Sequence, residues 1–342
     1  MNSWQQLTGV FACFGLGIWG WLSLSHDPPT PLLVEKRIIP IYGELHHASD
    51  LSGIGQFNSL LLLVADEGNE LQVLQPWRDG YKVLRQIPLN TTGHEIDLEA
   101  IACSEQAVYL LGSHSRTRVS KKHQPVSAQA WQSLSKIDAD TSRDVIMQLT
   151  LDQQGRVQAN KSQSLRKWLE NHPLLAPFSQ IPGKENGIDF EGLAYRDGLL
   201  YVGCRGPVLR DGWVPVLVGA FDTMQQNMDI RFVCLNGLGI RELTAVKGGF
   251  LILAGPVNHS TDGFHFYFWN GINCLNKTKE THTAQGQCTY LASFKHLHGG
   301  SPEGVCILEE TTDYYDMLVT FDGLSAGAVR AFRLSKQNLI NR

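Results

Sequence analysis

The hydrophobic and polar positions of this chain follow one pattern that returns several times. The pattern opens with a polar residue, an apolar residue, a glutamate, a small residue and an apolar residue, and continues through a turn into a short apolar run. It is complete around Glu99 and Glu191. Around Glu242 the flanks are broken by Arg241 and Leu243, PEGVCI around Glu303 repeats only the opening, and DLSGIGQFNSLLLLVAD has Ser52 in place of the glutamate. In the four longer copies the glutamate or serine lies thirteen residues before the end of the apolar run. A unit repeated at fixed spacing predicts a repeated supersecondary structure.

The repeated unit has the pattern of β-strands. The runs LLLLVAD, VYLLGS, LLYVGCR and FLILAG are short, rich in Leu, Val, Tyr and Ile, and bounded by turn residues, which is typical of strands buried on both faces. Alternating runs such as VPVLVGAF and AVRAFRLS follow them and predict neighbouring strands with one wetter face. The pattern predicts an all-β protein, a closed β-propeller in which EKRIIPIYGEL pairs with AVRAFRLS to close the ring.

The spacing of the repeats predicts six blades. The repeats start near residues 50, 97, 189, 240 and 301, and the gap of about ninety residues between the second and third has room for an interrupted sixth unit. A short helix is expected within this gap over Ser164–Phe178, where Ser164 can cap the first turn and Pro173 interrupts the pattern. We expect the helix to pack across one end of the ring.

The N-terminal segment has a different character. The run LTGVFACFGLGIWGWLSL over Leu7–Leu24 carries no charge and precedes the Pro-rich spacer HDPPTPLL. This arrangement favours an apolar helix that acts as a secretory signal or a membrane anchor, although MNSWQQ has no basic residue, and an internally packed segment is the alternative. The expected division is therefore 1–33 as signal or anchor plus spacer, and 34–342 as a single propeller domain. The expected location is periplasmic or extracellular, with the membrane reached only through the N-terminal segment.

Composition adds few constraints. A net charge of -4, with no basic stripe, gives no electrostatic basis for binding nucleic acid. Most cysteines lie in apolar runs and are expected to be buried thiols, whereas Cys274 and Cys288 bracket a loop-like insertion and would form a disulfide in an exported domain. We expect a monomer whose partner is a small molecule or a protein.

Several motifs resemble one bacterial family. GSHSR, IDFEGLA followed by RGPVLRDGW, and GIREL followed by LILAGP resemble the family catalogued as domain of unknown function 3616, from about Asp50 to Asp322. The resemblance implies a fold related to six-bladed propellers that include calcium-dependent lactonases and phytase- or esterase-like proteins, without implying an established reaction. Two features depart from the family pattern: Ser52 lacks the carboxylate, and CLNKTKETHTAQGQC is an additional insertion.

The recurring glutamates are the candidate functional residues. Equivalent positions on the inner strands of a propeller meet near its axis, so they are expected to converge at the mouth of the channel. Several carboxylates in one place need a counter-charge, and calcium, which takes six to eight oxygen ligands, suits them better than zinc. The candidate metal ligands are Glu99, Glu191, Glu242 and Glu303. The candidate contacts for an anionic ligand are His114, Arg116, Arg205 and Arg241.

Two function classes stay open from the sequence. One is a hydrolase of small phosphate or ester-type substrates at a channel-mouth calcium site. The other is a non-catalytic binding or scaffold propeller in which the glutamates pair with the basic residues as a structural belt. Whether the protein is an enzyme is not decided by any motif in the chain.

Overall fold

The computed structural model describes residues 32–89, 95–118, 132, 134–258, 263–275, 285–294, 299–324 and 328–340. The repeated apolar runs fold into five blades. The first blade consists of β2 (Ile41–Tyr42), β3 (Leu51–Phe57), β4 (Leu60–Ala65), β5 (Glu70–Trp77) and β6 (Gly80–Pro88). The blades are antiparallel except where the two-residue strand β2 pairs in parallel with β6 in the first blade. The second consists of β7 (Leu98–Cys103), β8 (Val108–Gly112), β11 (Ile146–Leu151) and β12 (Val157–Gln163). A separate pair contains β9 (Thr117–Arg118) and β10 (Ile137–Asp138).

The remaining three blades each have four strands. The third consists of β13 (Asp189–Arg196), β14 (Leu199–Gly206), β15 (Trp213–Gly219) and β16 (Asp229–Cys234). The fourth consists of β17 (Gly239–Val246), β18 (Gly249–Gly255), β19 (His265–Trp269) and β20 (Cys288–Ser293). The fifth consists of β21 (Ser301–Glu310), β22 (Tyr314–Asp322), β23 (Val329–Ser335) and the N-terminal β1 (Leu33–Ile38).

The helical elements are short. Among the described residues, the α-helices whose bounds are defined are Arg166–Asn171 and Gln337–Ile340, and the 3-10 turns are Thr141–Arg143, Ala176–Phe178, Gly183–Glu185, Arg210–Gly212 and Phe221–Thr223. The helix predicted over Ser164–Phe178 is confirmed in part: it begins at Arg166, whose N–H donates to Ser164 Oγ at 3.1 Å, and it ends before Pro173. Within the described ranges, no helix is both long and apolar enough to cross a bilayer. The predicted apolar helix over Leu7–Leu24 lies outside those ranges.

The inner strands form a closed ring. Strands β3, β7, β13, β17 and β21 each contact the next, and β21 contacts β3. The predicted closure is confirmed, because β1 pairs with β23 in antiparallel register from Leu33 opposite Leu334 to Ile38 opposite Arg330. Strands from the two ends of the chain therefore share the fifth blade, which leaves the ring without an open junction.

The prediction of six blades is wrong. The long interval between the second and third repeats contains no further four-stranded sheet among its described residues. It divides into an insertion between β8 and β11 of the second blade and a connection from β12 to β13 that carries the helix Arg166–Asn171. An interval length does not distinguish a blade from loops added to an existing blade, so the count from spacing was one too high.

Aromatic and aliphatic side chains hold adjacent blades together. Between the third and fourth blades, the ring centroid of Tyr201 lies 4.3 Å from that of Phe250 and 6.2 Å from that of Trp269. Large aromatic side chains provide most of the apolar area at such contacts. No disulfide joins Cys274 to Cys288 in this structure, so the expected bridge is not formed.

Candidate functional site

One position on each inner strand is displaced from regular pairing. The ladder shifts between Leu51 and Gly53 in β3, between Leu98 and Ala100 in β7, between Phe190 and Gly192 in β13, between Ile240 and Glu242 in β17, and between Pro302 and Val305 in β21. Such bulges redirect side chains. The residues at the shifts that line the central cavity are Ser52, Glu99, Glu191, Arg241 and Glu303.

This register separates Glu242 from the other glutamates. Arg241, not Glu242, is the bulged residue, and the thirteen-residue step runs from Arg241 to Ala254. Glu242 takes the next position, which is a glycine or alanine in the other four blades. At Gly192 an added Cβ would lie 2.7 Å from Ile240 Cγ2, which shows how closely neighbouring blades approach at this position. The expected convergence of four glutamates therefore becomes three glutamates and an arginine.

Glu242 is buried between blades instead. Its side chain is 1% exposed, and its Oε1 accepts from the N–H of Leu243 at 2.6 Å and of Leu193 at 3.4 Å. Burial raises the pKa of Glu242 well above its usual value, against the lowering effect of these backbone hydrogen bonds. The carboxyl group of Glu242 therefore lies between the third and fourth blades and does not line the cavity.

The central cavity has a volume of about 890 Å³ and is rich in charge. Its described lining includes eight carboxylates and six lysine or arginine side chains, so acid is in excess. The insertion of the second blade and the turn Gly183–Glu185 also contribute to the lining. A cavity of this size and charge is suited to a small polar ligand, a metal ion, or both.

Part of the lining is a chain of alternating charges. Arg205 Nη1 lies 2.5 Å from Glu191 Oε1, and Arg241 Nε lies 2.9 Å from Glu191 Oε2. Arg241 Nε also lies 3.1 Å from Glu303 Oε2, and its Nη2 contacts the other oxygen of Glu303. This network links the inner strands of the third, fourth and fifth blades. It matches the structural belt that the sequence left open as an alternative.

Glu99 lies next to this belt without belonging to it. One carboxylate oxygen from each of Glu99, Asp189 and Glu191 lies within 4.8 Å of the others. Glu191 has two arginine partners and Asp189 has Arg205 at 3.8 Å, whereas Glu99 forms no hydrogen bond or ion pair in the described part of the chain. Three carboxylates at this spacing can hold a cation or share protons.

The pKa values reflect the excess of acid. Burial raises the pKa of Glu99 well above its usual value, and the charges of Glu191 and Asp97 raise it further. Burial and then the charge of Glu191 raise the pKa of Asp189 to about 7, although Arg205 lowers it. Sequence analysis did not select Asp189. The available signal was its position two residues before Glu191, since alternate residues of a strand share a face.

His114 lies outside the cavity lining. Its Nδ1 lies 2.9 Å from Gly112 O, and its Nε2 accepts from the N–H of Leu165 at 3.1 Å. Burial lowers its pKa to about 4, so the imidazole is neutral at physiological pH. Nδ1 contacts the backbone at the end of β8 and Nε2 the backbone just before the helix Arg166–Asn171, so neither nitrogen is available to a ligand. The other candidate contacts, Arg116, Arg205 and Arg241, do line the cavity.

A family profile covers most of the propeller. The profile of the family described as Protein of unknown function (DUF3616) matches residues 50–334. The chain belongs to this family. The family resemblance seen in the motifs around RGPVLRDGW is confirmed, whereas the six-bladed architecture that it implied is not. No curated protein sequence matches the chain.

Solved structures show only distant likeness. Glutaminyl cyclase from Myxococcus xanthus matches with a TM-score of 0.45 and 11% identity, over 89% of this chain and 99% of that one. The PQQ-bound form of aldose sugar dehydrogenase from Streptomyces coelicolor matches with a TM-score of 0.40 and 12% identity, over 89% of this chain and 97% of that one. Neither activity transfers to this chain at such similarity.

Proposed function

We propose that this protein binds a calcium ion at Glu99, Asp189 and Glu191, and that the ion holds a small phosphate or ester-type substrate in the central cavity for hydrolysis. One observation supports the proposal above all: three carboxylate oxygens from two adjacent inner strands lie within 4.8 Å of one another. Within the described residues, Glu99 forms no hydrogen bond or ion pair, and Arg143, the arginine whose pKa its charge raises, is paired with Glu95 and Asp97. A divalent cation would supply the missing charge.

Calcium fits the available ligands. It prefers six to eight oxygen atoms in a flexible arrangement, so three carboxylates would leave positions for water or substrate oxygens. Zinc prefers histidine or cysteine ligands, and the described lining of the cavity contains neither. Because Arg205 and Arg241 contact Glu191, the charge to be balanced by the ion comes mainly from Glu99 and Asp189.

The ion and the cavity residues would have different roles in substrate binding. A bound calcium ion would polarise a phosphoryl or carbonyl oxygen as a Lewis acid. The belt of Arg205, Glu191, Arg241 and Glu303 would hold the carboxylate of Glu191 in place as a calcium ligand, because a hydrogen bond from Arg205 and an ion pair with Arg241 restrict its side chain. Glu99, on the neighbouring blade, would complete the site.

The second candidate function is a non-catalytic binding or scaffold propeller. The belt favours it, because ion pairs that join three inner strands also stabilise the ring without any ligand. Propellers have many unrelated functions, so the fold itself favours neither candidate. Calcium binding without turnover of phosphate monoesters or carboxylic esters would support this candidate.

The melting temperature of the full chain tests the proposal. In excess calcium, compared with EGTA, the protein should melt at a higher temperature, since an ion at a hundredfold excess over its Kd adds about 2.7 kcal/mol to the free energy of unfolding. Glu99→Gln should abolish this response. Glu185→Gln is the matched control, because Glu185 is an exposed lining residue paired with Arg118 and should leave the response intact.

Two results would contradict the proposal. One is a wild-type melting temperature that is the same in calcium and in EGTA. The other is an equal calcium response in wild type and Glu99→Gln. Calcium-dependent release of phosphate from a chromogenic monoester, lost in Glu99→Gln, would then separate the hydrolase from the binding protein.

A further inference from the structure

Arg116 is a buried guanidinium at the edge of the central cavity. It follows β8 in the second blade, lines the cavity, and is only 6% exposed. Its Nε is buried and has no hydrogen-bond partner among the described residues. Buried polar groups nearly always have partners, so an unpaired N–H on a buried arginine beside a cavity points to a ligand or to water.

The carboxylate nearest to Arg116 is mainly occupied by another arginine. Arg166 Nε lies 3.2 Å and 3.1 Å from the two oxygens of Asp144, and Arg166 Nη2 lies 2.7 Å from one of them. Arg116 reaches Asp144 only through Nη1, at 3.4 Å. Since His114 beside them is neutral, one carboxylate faces two guanidinium groups, which leaves a surplus positive charge at this edge of the cavity.

The other lining arginines have closer partners. Arg118 donates to both oxygens of Glu185 at 2.5 Å and 2.9 Å. Arg143 lies 2.7 Å from Glu95 and 3.2 Å from Asp97. Arg205 and Arg241 belong to the belt described above. Among the lining arginines, Arg116 is thus the one whose charge is least balanced by the described part of the protein.

We propose that Arg116 forms an anion subsite, which binds a carboxylate or phosphate group of the ligand in the central cavity. The inference deepens the proposed function, because it rests on a ligand in that cavity and assigns the anionic group of that ligand to a specific residue. A planar guanidinium recognises such oxyanions with two parallel hydrogen bonds. The position of Arg116 is fixed by burial, so little conformational entropy would be lost on binding.

The test measures binding of inorganic phosphate and of acetate to the full chain in EGTA, by calorimetry and by the shift in melting temperature. Phosphate or acetate should bind and raise the melting temperature of the wild type. Arg116→Gln should weaken that binding at least tenfold. Arg118→Gln should bind as the wild type does, because Arg118 lines the same cavity but is already paired. Stronger binding of phosphate would indicate a phosphoryl ligand, and stronger binding of acetate a carboxylate ligand.

A second variant covers the case in which Arg116→Gln does not fold. Arg116→Lys keeps the positive charge beside Asp144 but lacks the paired donors, so it should fold and still bind the anion less tightly than wild type. Anion binding by either Arg116 variant at wild-type strength would overturn the proposal. A wild type that binds neither phosphate nor acetate would also overturn it.

The calcium site can fail without affecting this inference. Glu99→Gln in EGTA should bind the anion at least as well as wild type, because it replaces an acidic side chain of the cavity by a neutral one and leaves Arg116 unchanged. Anion binding that depends on Arg116 in a protein indifferent to calcium would support the subsite and contradict only the proposed metal site. Loss of anion binding in Glu99→Gln would overturn the subsite at Arg116.

Discussion

Glu99 and Glu191 are the same residue type with opposite surroundings. Two arginines contact the carboxylate of Glu191, whereas no described residue pairs with that of Glu99. Replacing Glu191 leaves buried guanidinium groups with fewer counter-charges, and replacing Glu99 removes a carboxylate that has none. The two substitutions should therefore have different effects on the stability of the calcium-free protein.

Urea unfolding in EGTA measures this difference. Glu191→Gln should lower the free energy of unfolding by roughly 3 kcal/mol or more, as expected when one partner of a buried ion pair is removed. Glu99→Gln should stay within about 0.5 kcal/mol of wild type or be more stable. Equal losses in the two variants would show that Glu99 has a stabilising partner and would count against an open metal site.

The sequence predicted much of this site at the level of single residues. Repeat position alone was enough to bring together Glu99, Glu191 and Glu303 with two arginines. Repeat position failed for Glu242, because a shift of one residue along a strand moves a side chain to the other face. In the aligned repeats Glu242 matches the other glutamates, but in the structure the bulged residue is Arg241. One backbone partner of His114, Leu165, lies 51 residues away along the chain, and no local pattern reveals it.

The strands themselves were predictable from the sequence, whereas the number of blades was not. Short apolar runs bounded by turn residues marked β4, β8, β14 and β18, and the closing pair of β1 and β23 followed from the need to cover strand edges. The insertion between β8 and β11 is polar and has no repeat of its own. Its length therefore looked like another blade, although the described part of it forms one two-stranded pair and short helical turns.

Closure of the ring by β1 should contribute measurably to stability. A chain that begins at Ile39 lacks β1 and leaves β23 as an exposed edge, and it also loses the ion pair of Arg330 Nη1 with Glu35 Oε1 at 2.8 Å. We expect its melting temperature to fall and its tendency to self-associate to rise, since an unpaired edge strand is a template for intermolecular pairing. Thermal melts with light scattering measure both properties.

The control is a chain that begins at Leu32, which retains all of β1. It should melt at the temperature of the full chain and stay monomeric. If both truncated chains behave like the full protein, pairing of β1 with β23 does not stabilise the ring.

At the scale of the whole molecule, the cavity has more acid than base. Burial, followed by the charge of Asp322, raises the pKa of Asp66 to about 7. Burial also raises the pKa of Asp189 to about 7 and the pKa of Glu303 to about 8. A carboxyl group whose pKa is higher in the folded than in the unfolded protein stabilises the fold below its unfolded value, and this stability is lost as pH rises to the folded value.

The calcium-free protein should therefore become less stable between about pH 4 and pH 8. Asp66→Asn should make this loss smaller, by at least about 1 kcal/mol between pH 5 and pH 8, because the amide does not titrate. Glu67→Gln is the matched control, since Glu67 is an exposed neighbour outside the cavity lining, and it should reproduce the wild-type slope. Urea unfolding at several pH values in EGTA gives the slopes, and an unchanged slope in Asp66→Asn would contradict the assigned role of Asp66.

Calorimetric titration of the EGTA-treated, dialysed full chain with calcium tests the proposed calcium site at Glu99, Asp189 and Glu191. We expect one calcium ion bound per chain, an affinity at least tenfold lower in Glu99→Gln, and wild-type affinity in Glu185→Gln. Absence of calcium binding by the wild type, or equal affinity in wild type and Glu99→Gln, would contradict it.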